Sequence, residues 1–164
     1  MGDCRSDISD LVFRYAEIVD AGAFDELATL FAHSTLECQV SGQPNGGVVA
    51  GREGITKWYR AAVALHDGSP LTRHVITNLI VEIEPGETTA TARSYFTVLQ
   101  QTPDFALQVI AAGRYHYRFE RIRGRWRFAG NLIQANFTGD LSRHYPPMAG
   151  SGSSPGSPFR AVAS

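Results

Sequence analysis

The sequence predicts an α+β domain in which three N-terminal helices pack on one face of a curved antiparallel sheet that encloses a pocket. Three observations carry this. Apolar residues recur at three- and four-residue spacing in three segments of the N-terminal part. From residue 72 onward the chain reads as four long strand-like segments. The connections between them (PGE, TPD and RGR) are short, which joins neighbouring strands as antiparallel hairpins.

In the first helix Ile8, Leu11, Val12, Tyr15, Ile18 and Val19 form one apolar face. Ser6 is its expected cap, Asp7 suits its first turn, and Gly22 is its expected stop. AFDELATLFA is a second short helix with Phe24, Leu27, Leu30 and Phe31 on one face. STLECQV alternates at Leu36, Cys38 and Val40 and reads as a strand, and SGQPNGG is a turn. GREGITKWYRAAVAL is the third helix, with Ile55, Trp58, Tyr59 and Ala62 on its buried stripe. The four long strands span 72–84, 88–101, 106–122 and 126–137. A sheet curved around helices leaves a pocket at its open end, a mostly apolar place with a few polar groups. Residues 1–145 form the expected single domain, and 146–164, rich in Gly, Ser and Pro, a flexible tail.

Length and composition bound the rest. A chain of 164 residues, 43% hydrophobic and 19% charged, suits one folded domain. A formal net charge of −1 gives nucleic acid or an anionic membrane nothing to select. No apolar run has the length of a membrane span, and MGDCRSDISD lacks the pattern of a signal peptide, so a cytoplasmic location is expected. Cys4 and Cys38 read as reduced thiols, no histidine pair has metal spacing, and neither a GxSxG elbow nor a P-loop is present.

Asp20 ends the first helix, where a carboxylate opposes the helix dipole. Either it is exposed at small cost, or it pairs with a cation or a histidine. Tyr15 lies 140° beyond one turn from Asp20, so the two converge only if Asp20 turns inward at the helix end. A phenol on the apolar stripe needs a hydrogen-bond partner, such as a backbone carbonyl. His74, Ile76, Asn78 and Ile80 share one strand face by strict alternation. His74 is either a satisfied core histidine or a titrating group in a pocket. A nearby carboxylate would fix its tautomer and leave the other nitrogen as a base, and Asp20 is a candidate. Asn131 could donate to a substrate oxygen. Trp58, Tyr95 and Tyr115 complete the expected substrate-binding set, with Asn78 as a polar wall residue deeper than His74. His116, alternating with arginines, reads as solvent-facing, and His144 as lying near the tail.

Three stretches carry a resemblance to a known family. RYAEIVDAGAFDELATLFA, TRHVITN and GRYHYRFERIRGRWRFAGNLI resemble the first two helices, the histidine-bearing strand and the last hairpin of the nuclear transport factor two-like fold, in its SnoaL-like branch. The resemblance covers about residues 6–145 and implies a cone-shaped α+β barrel. Several relatives, among them scytalone dehydratase, bile acid 7α-dehydratase, dehydrochlorinase, ketosteroid isomerase and polyketide cyclases, are enzymes that need no cofactor. By position, His74 resembles the proton-abstracting histidine of the dehydratase and dehydrochlorinase branches, Asp20 its aspartate and Tyr15 the tyrosine of the bile-acid type. The aligned arginine of some members is not evident.

The expected function is therefore cofactor-independent lyase or isomerase chemistry on an apolar, polycyclic small molecule. The alternative is a non-catalytic subunit or binder resembling the small subunit of ring-hydroxylating dioxygenases. The resemblance also implies a homodimer or homotrimer.

Overall fold

The computed structural model describes residues 3–40 and 47–145. Most of the SGQPNGG turn and the whole 146–164 segment lie outside the described residues. The elements are α1 (Cys4–Asp20), α2 (Phe24–Leu30), β1 (Thr35–Val40), β2 (Val48–Ala50), α3 (Gly51–Ala62), β3 (Thr72–Ile83), β4 (Thr89–Thr102), β5 (Phe105–Ile122) and β6 (Arg125–Thr138). The strands form one sheet in the order β2-β1-β6-β5-β4-β3. All pairings are antiparallel except β1 with β6, which run parallel. The expected antiparallel sheet is thus mixed at one seam, because β1 and β6 are far apart in the chain and are not joined by a hairpin.

Local chemistry sets most boundaries. α1 starts earlier than expected, since Asp3 and not Ser6 is its cap: Asp3 Oδ1 accepts from the Arg5 N–H at 3.1 Å. α3 stops at Ala62, as Val63 takes extended angles. β2, only three residues long, is too short to show alternation and was not foreseen.

The core lies between the helices and the concave sheet face. Ile8, Val12, Tyr15, Ile18 and Val19 of α1 are buried, as are Ile55 and Tyr59 of α3. Phe31 stacks on Phe128 at 4.5 Å between ring centroids, and Tyr15 meets both Phe31 and Tyr115 edge-on. An aromatic pair of this kind adds about 0.5–1.5 kcal/mol beyond its area burial. Phe96 stacks on Tyr115 at 4.4 Å. That contact needs Gly113, where an added Cβ would lie 2.0 Å from the Gln134 carbonyl oxygen and 2.9 Å from Phe96. Register shifts beside Gly113, at Val98/Leu99 and between Thr77 and Ile80 bend the long strands around the helices.

Candidate active site

β3 is an edge strand, so the N–H of His74 on its open side has no strand partner. The C-terminus of α1 fills that place. Asp20 turns inward and accepts three hydrogen bonds. The His74 backbone N–H donates to Oδ2 at 2.8 Å, the Thr72 hydroxyl donates to Oδ1 at 2.8 Å, and the His74 ring Nδ1–H donates to Oδ1 at 2.6 Å. The side chains of His74 and Asp20 are 10% and 7% exposed, so water competes little. Gly22 allows this approach. Its φ is +69°, and a Cβ there would meet the Gly68 carbonyl oxygen at 2.8 Å. Burial acts to raise the Asp20 carboxyl, but the hydrogen bonds and charge of His74 outweigh it and the net displacement is downward. The geometry fixes the imidazole with Nδ1 on the carboxylate and leaves Nε2 as the available nitrogen.

His74 opens into a narrow cavity of about 70 Å³. Tyr15 and Val19 of α1, Trp58 and Tyr59 of α3, Phe96 and Val98 of β4, and Tyr115 of β5 line it, with Ile133 and Ala135 of β6. His144, from the segment after β6, closes one wall. The polar part is a tyrosine cluster: the hydroxyls of Tyr15 and Tyr59 are 2.9 Å apart. Burial pushes Tyr15 up to about 12, and Tyr59 and Tyr115 well above the ordinary tyrosine range, so all three are neutral hydroxyl groups. Tyr15 lies five residues, or about 7.5 Å of helix rise, from Asp20. The cavity therefore has a histidine end and a tyrosine end.

The structure brings His74, Asp20, Tyr15, Trp58 and Tyr115 together. Asn131 is also on the concave face, 3% exposed, beyond the tyrosines. Its amide sits beside the Tyr15 hydroxyl, but neither its nitrogen nor its oxygen makes a hydrogen bond of normal geometry. Two expected pocket residues are elsewhere. Asn78 is exposed on the outer sheet face, not on the His74 face. The bulge between Thr77 and Ile80 holds Asn78 at φ +55° and reverses the alternation, so that Val81 and Ile83 point inward. Tyr95 is 48% exposed on the same outer face, under the Arg114 guanidinium. Its signal was present in the sequence, since it has the parity of Arg93 while Ser94, Phe96 and Val98 point inward. His116 faces solvent, as its alternation with arginines predicts.

Sequence reasoning missed the apolar wall residues of β4 and β6 and two polar residues of the cavity, Tyr59 and His144. Tyr59 was legible as a member of the buried stripe of α3, though not as the partner of Tyr15. No local pattern marks His144, because only the tertiary fold brings it back to β3. Among the described residues, no group of three or more His, Cys, Asp or Glu is placed to hold a metal ion, and no helix is long and apolar enough to cross a membrane.

Comparison with known proteins agrees with this architecture. Residues 3–130 match the SnoaL-like domain family. The chain belongs to that family. The SnoaL-like domain is also similar to solved structures. The beta subunit of a putative aromatic-ring-hydroxylating dioxygenase from Novosphingobium aromaticivorans is 18% identical, with a TM-score of 0.68 over 87% of this chain and 95% of that one. ActVI-ORFA from Streptomyces coelicolor is 16% identical, with a TM-score of 0.66 over 80% of this chain and 96% of that one. An NTF2-like protein with a cystatin-like fold from N. aromaticivorans is 21% identical, with a TM-score of 0.63 over 80% of each chain. At these identities the likeness establishes the fold alone. No curated protein matches the sequence.

Proposed function

We propose that this SnoaL-like domain is a cofactor-independent lyase or isomerase in which His74 is the general base. The observation that carries the reading is the carboxylate of Asp20, which holds both the backbone and the ring of His74 through Nδ1 and leaves Nε2 available on a residue that lines an apolar cavity. In this reaction Nε2 takes a proton from a carbon next to a carbonyl or a leaving group. The electron pair moves onto the carbonyl oxygen or expels the departing oxygen. Asp20 stabilises the imidazolium that forms, and the Tyr15–Tyr59 pair donates the one O–H not used between the two rings to the oxygen at the far end. A base of this kind supplies roughly 10²–10⁴-fold in rate, with orientation in the cavity adding to it. The aromatic walls support a flat, fused-ring substrate.

The test is proton exchange, which requires no knowledge of the full reaction. Fused-ring ketones are incubated with the protein in D₂O, and deuterium uptake next to the carbonyl is followed by mass spectrometry. Protein-dependent uptake that disappears in a folded His74→Ala variant is the expected result. Uptake that survives the substitution excludes His74 as the base.

An exposed apolar row across the convex sheet face supports association. Val75 is 39% exposed, Val109 50% and Phe137 74%. The reading favoured is a homodimer or homotrimer joined through this face. The same row would also serve the alternative, a non-catalytic subunit docked on a larger partner, in which His74 and Asp20 would be structural only. Self-association of the isolated chain in analytical ultracentrifugation, together with exchange activity, separates the two.

A further inference from the structure

His144 stands on the segment that follows β6, outside every sequence stretch that suggested chemistry. That segment is tied down. The Ala64 N–H donates to the His144 carbonyl oxygen at 2.7 Å, the Gln100 side-chain amide donates to the Arg143 carbonyl oxygen at 3.2 Å, and His66 Nε2 reaches the same oxygen at 2.9 Å. Arg143 also pairs with Asp104 at 2.6 Å. These contacts fix the imidazole of His144 in the cavity wall with His74. Its Nδ1 is shut off from solvent and has no hydrogen-bond partner. A buried polar atom left unpaired costs free energy comparable to a lost hydrogen bond, so such groups need an explanation.

Two polar contacts of the cavity are made within the protein. His74 Nδ1 is committed to Asp20, and Tyr15 and Tyr59 bond each other. Of the described residues that line the cavity, His144 is the one with a buried polar atom left unpaired. We propose that His144 is a second substrate-contacting histidine, a neutral imidazole that hydrogen-bonds a substrate oxygen next to the carbon that His74 deprotonates. The proposal rests on the base reading above and extends it to substrate class. A substrate would carry two oxygens, one at the His144 end and one at the tyrosine end, on an apolar flat frame. Neutrality of the ring suits a hydrogen-bonding role. Burial, together with the nearby His74, lowers His144 to about 4. The titratable groups that share the cavity are His74 on β3, Tyr15 on α1, Tyr59 on α3 and Tyr115 on β5.

The experiment uses the full chain and a dihydroxynaphthalene with its hydroxyls at opposite ends of the ring system. Imidazole ¹⁵N shifts are recorded by NMR as the probe is added to millimolar concentration. The proposal expects a saturable shift of a His144 nitrogen in wild type. It also expects probe affinity to fall about tenfold or more in His144→Phe and to recover in part in His144→Gln, which restores a polar donor. A purely structural role would not produce the ¹⁵N shift or the rescue. An unmoved His144 signal overturns the proposal, and so does full affinity in His144→Phe. The wild-type titration decides the matter even if a variant does not fold. Because the probe is bound and not turned over, loss of the base reading through an active His74→Ala variant is a separate result.

Discussion

Asp20→Ala tests the central contact of the site through stability, independently of any substrate. The carboxylate is 7% exposed and accepts from the His74 N–H, the His74 ring and the Thr72 hydroxyl. Alanine removes all three acceptor contacts at once. The His74 N–H sits on the open edge of β3, and Thr72 is 7% exposed, so neither donor has an alternative strand partner or free access to water. Each stranded donor costs about 1–3 kcal/mol, and partial relaxation brings the total to about 3–5 kcal/mol, the range found when one partner of a buried pair is removed. Against a typical domain stability of about 5–15 kcal/mol this is a large share. Asp20→Asn, which keeps one acceptor oxygen, should cost less. The assay is urea unfolding followed by circular dichroism, with linear extrapolation to water. A loss below about 1 kcal/mol at unchanged m-value would show that the carboxylate does not hold the strand edge, and the pairing argument would fail.

Three further outcomes are expected. His144 has a folded-state value of about 4 against 6.5 for an ordinary histidine, so the unfolded chain binds the extra proton between them; stability is full above pH 6.5 and falls as pH drops toward 4, by up to about 3 kcal/mol, and His144→Gln should flatten this window in pH-dependent urea unfolding. Asp20 works in the same direction lower down: its carboxyl lies below the ordinary 3.8, so its contribution is present above that pH and is lost as pH falls further, and the stability gap between wild type and Asp20→Asn should narrow there. Asn78→Val forces a β-branched residue to φ +55° and should cost about 1–2 kcal/mol in thermal unfolding with no loss of proton exchange, because the side chain lies outside the cavity.

Much of the fold follows from local pattern. The 3.6-residue period of α1 and the alternation of β4, β5 and β6 mark which face of each element is buried, since burial of one face is what stabilises each element. Asp20 was legible as a candidate because a carboxylate at a helix C-terminus needs a compensating partner, and His74 because an imidazole among isoleucines does too. Asn78 shows where such reasoning stops: one bulged position reverses the parity of everything after it, and no alternation rule contains the bulge.

The sequence by itself therefore determined the helices, the long strands, and Asp20, His74 and Tyr15 as residues in need of partners. Periodicity and helix electrostatics act within a few residues, and that range is enough for those conclusions. Only the tertiary structure decided that Asp20 meets His74 across 54 positions, that β1 runs parallel to β6, that Asn78 and Tyr95 face outward, and that His144 returns to the cavity. Those relations are set by how the strands bend around the helices and where the chain closes on itself, which are properties of the packed whole and leave no periodic trace in the segments that take part.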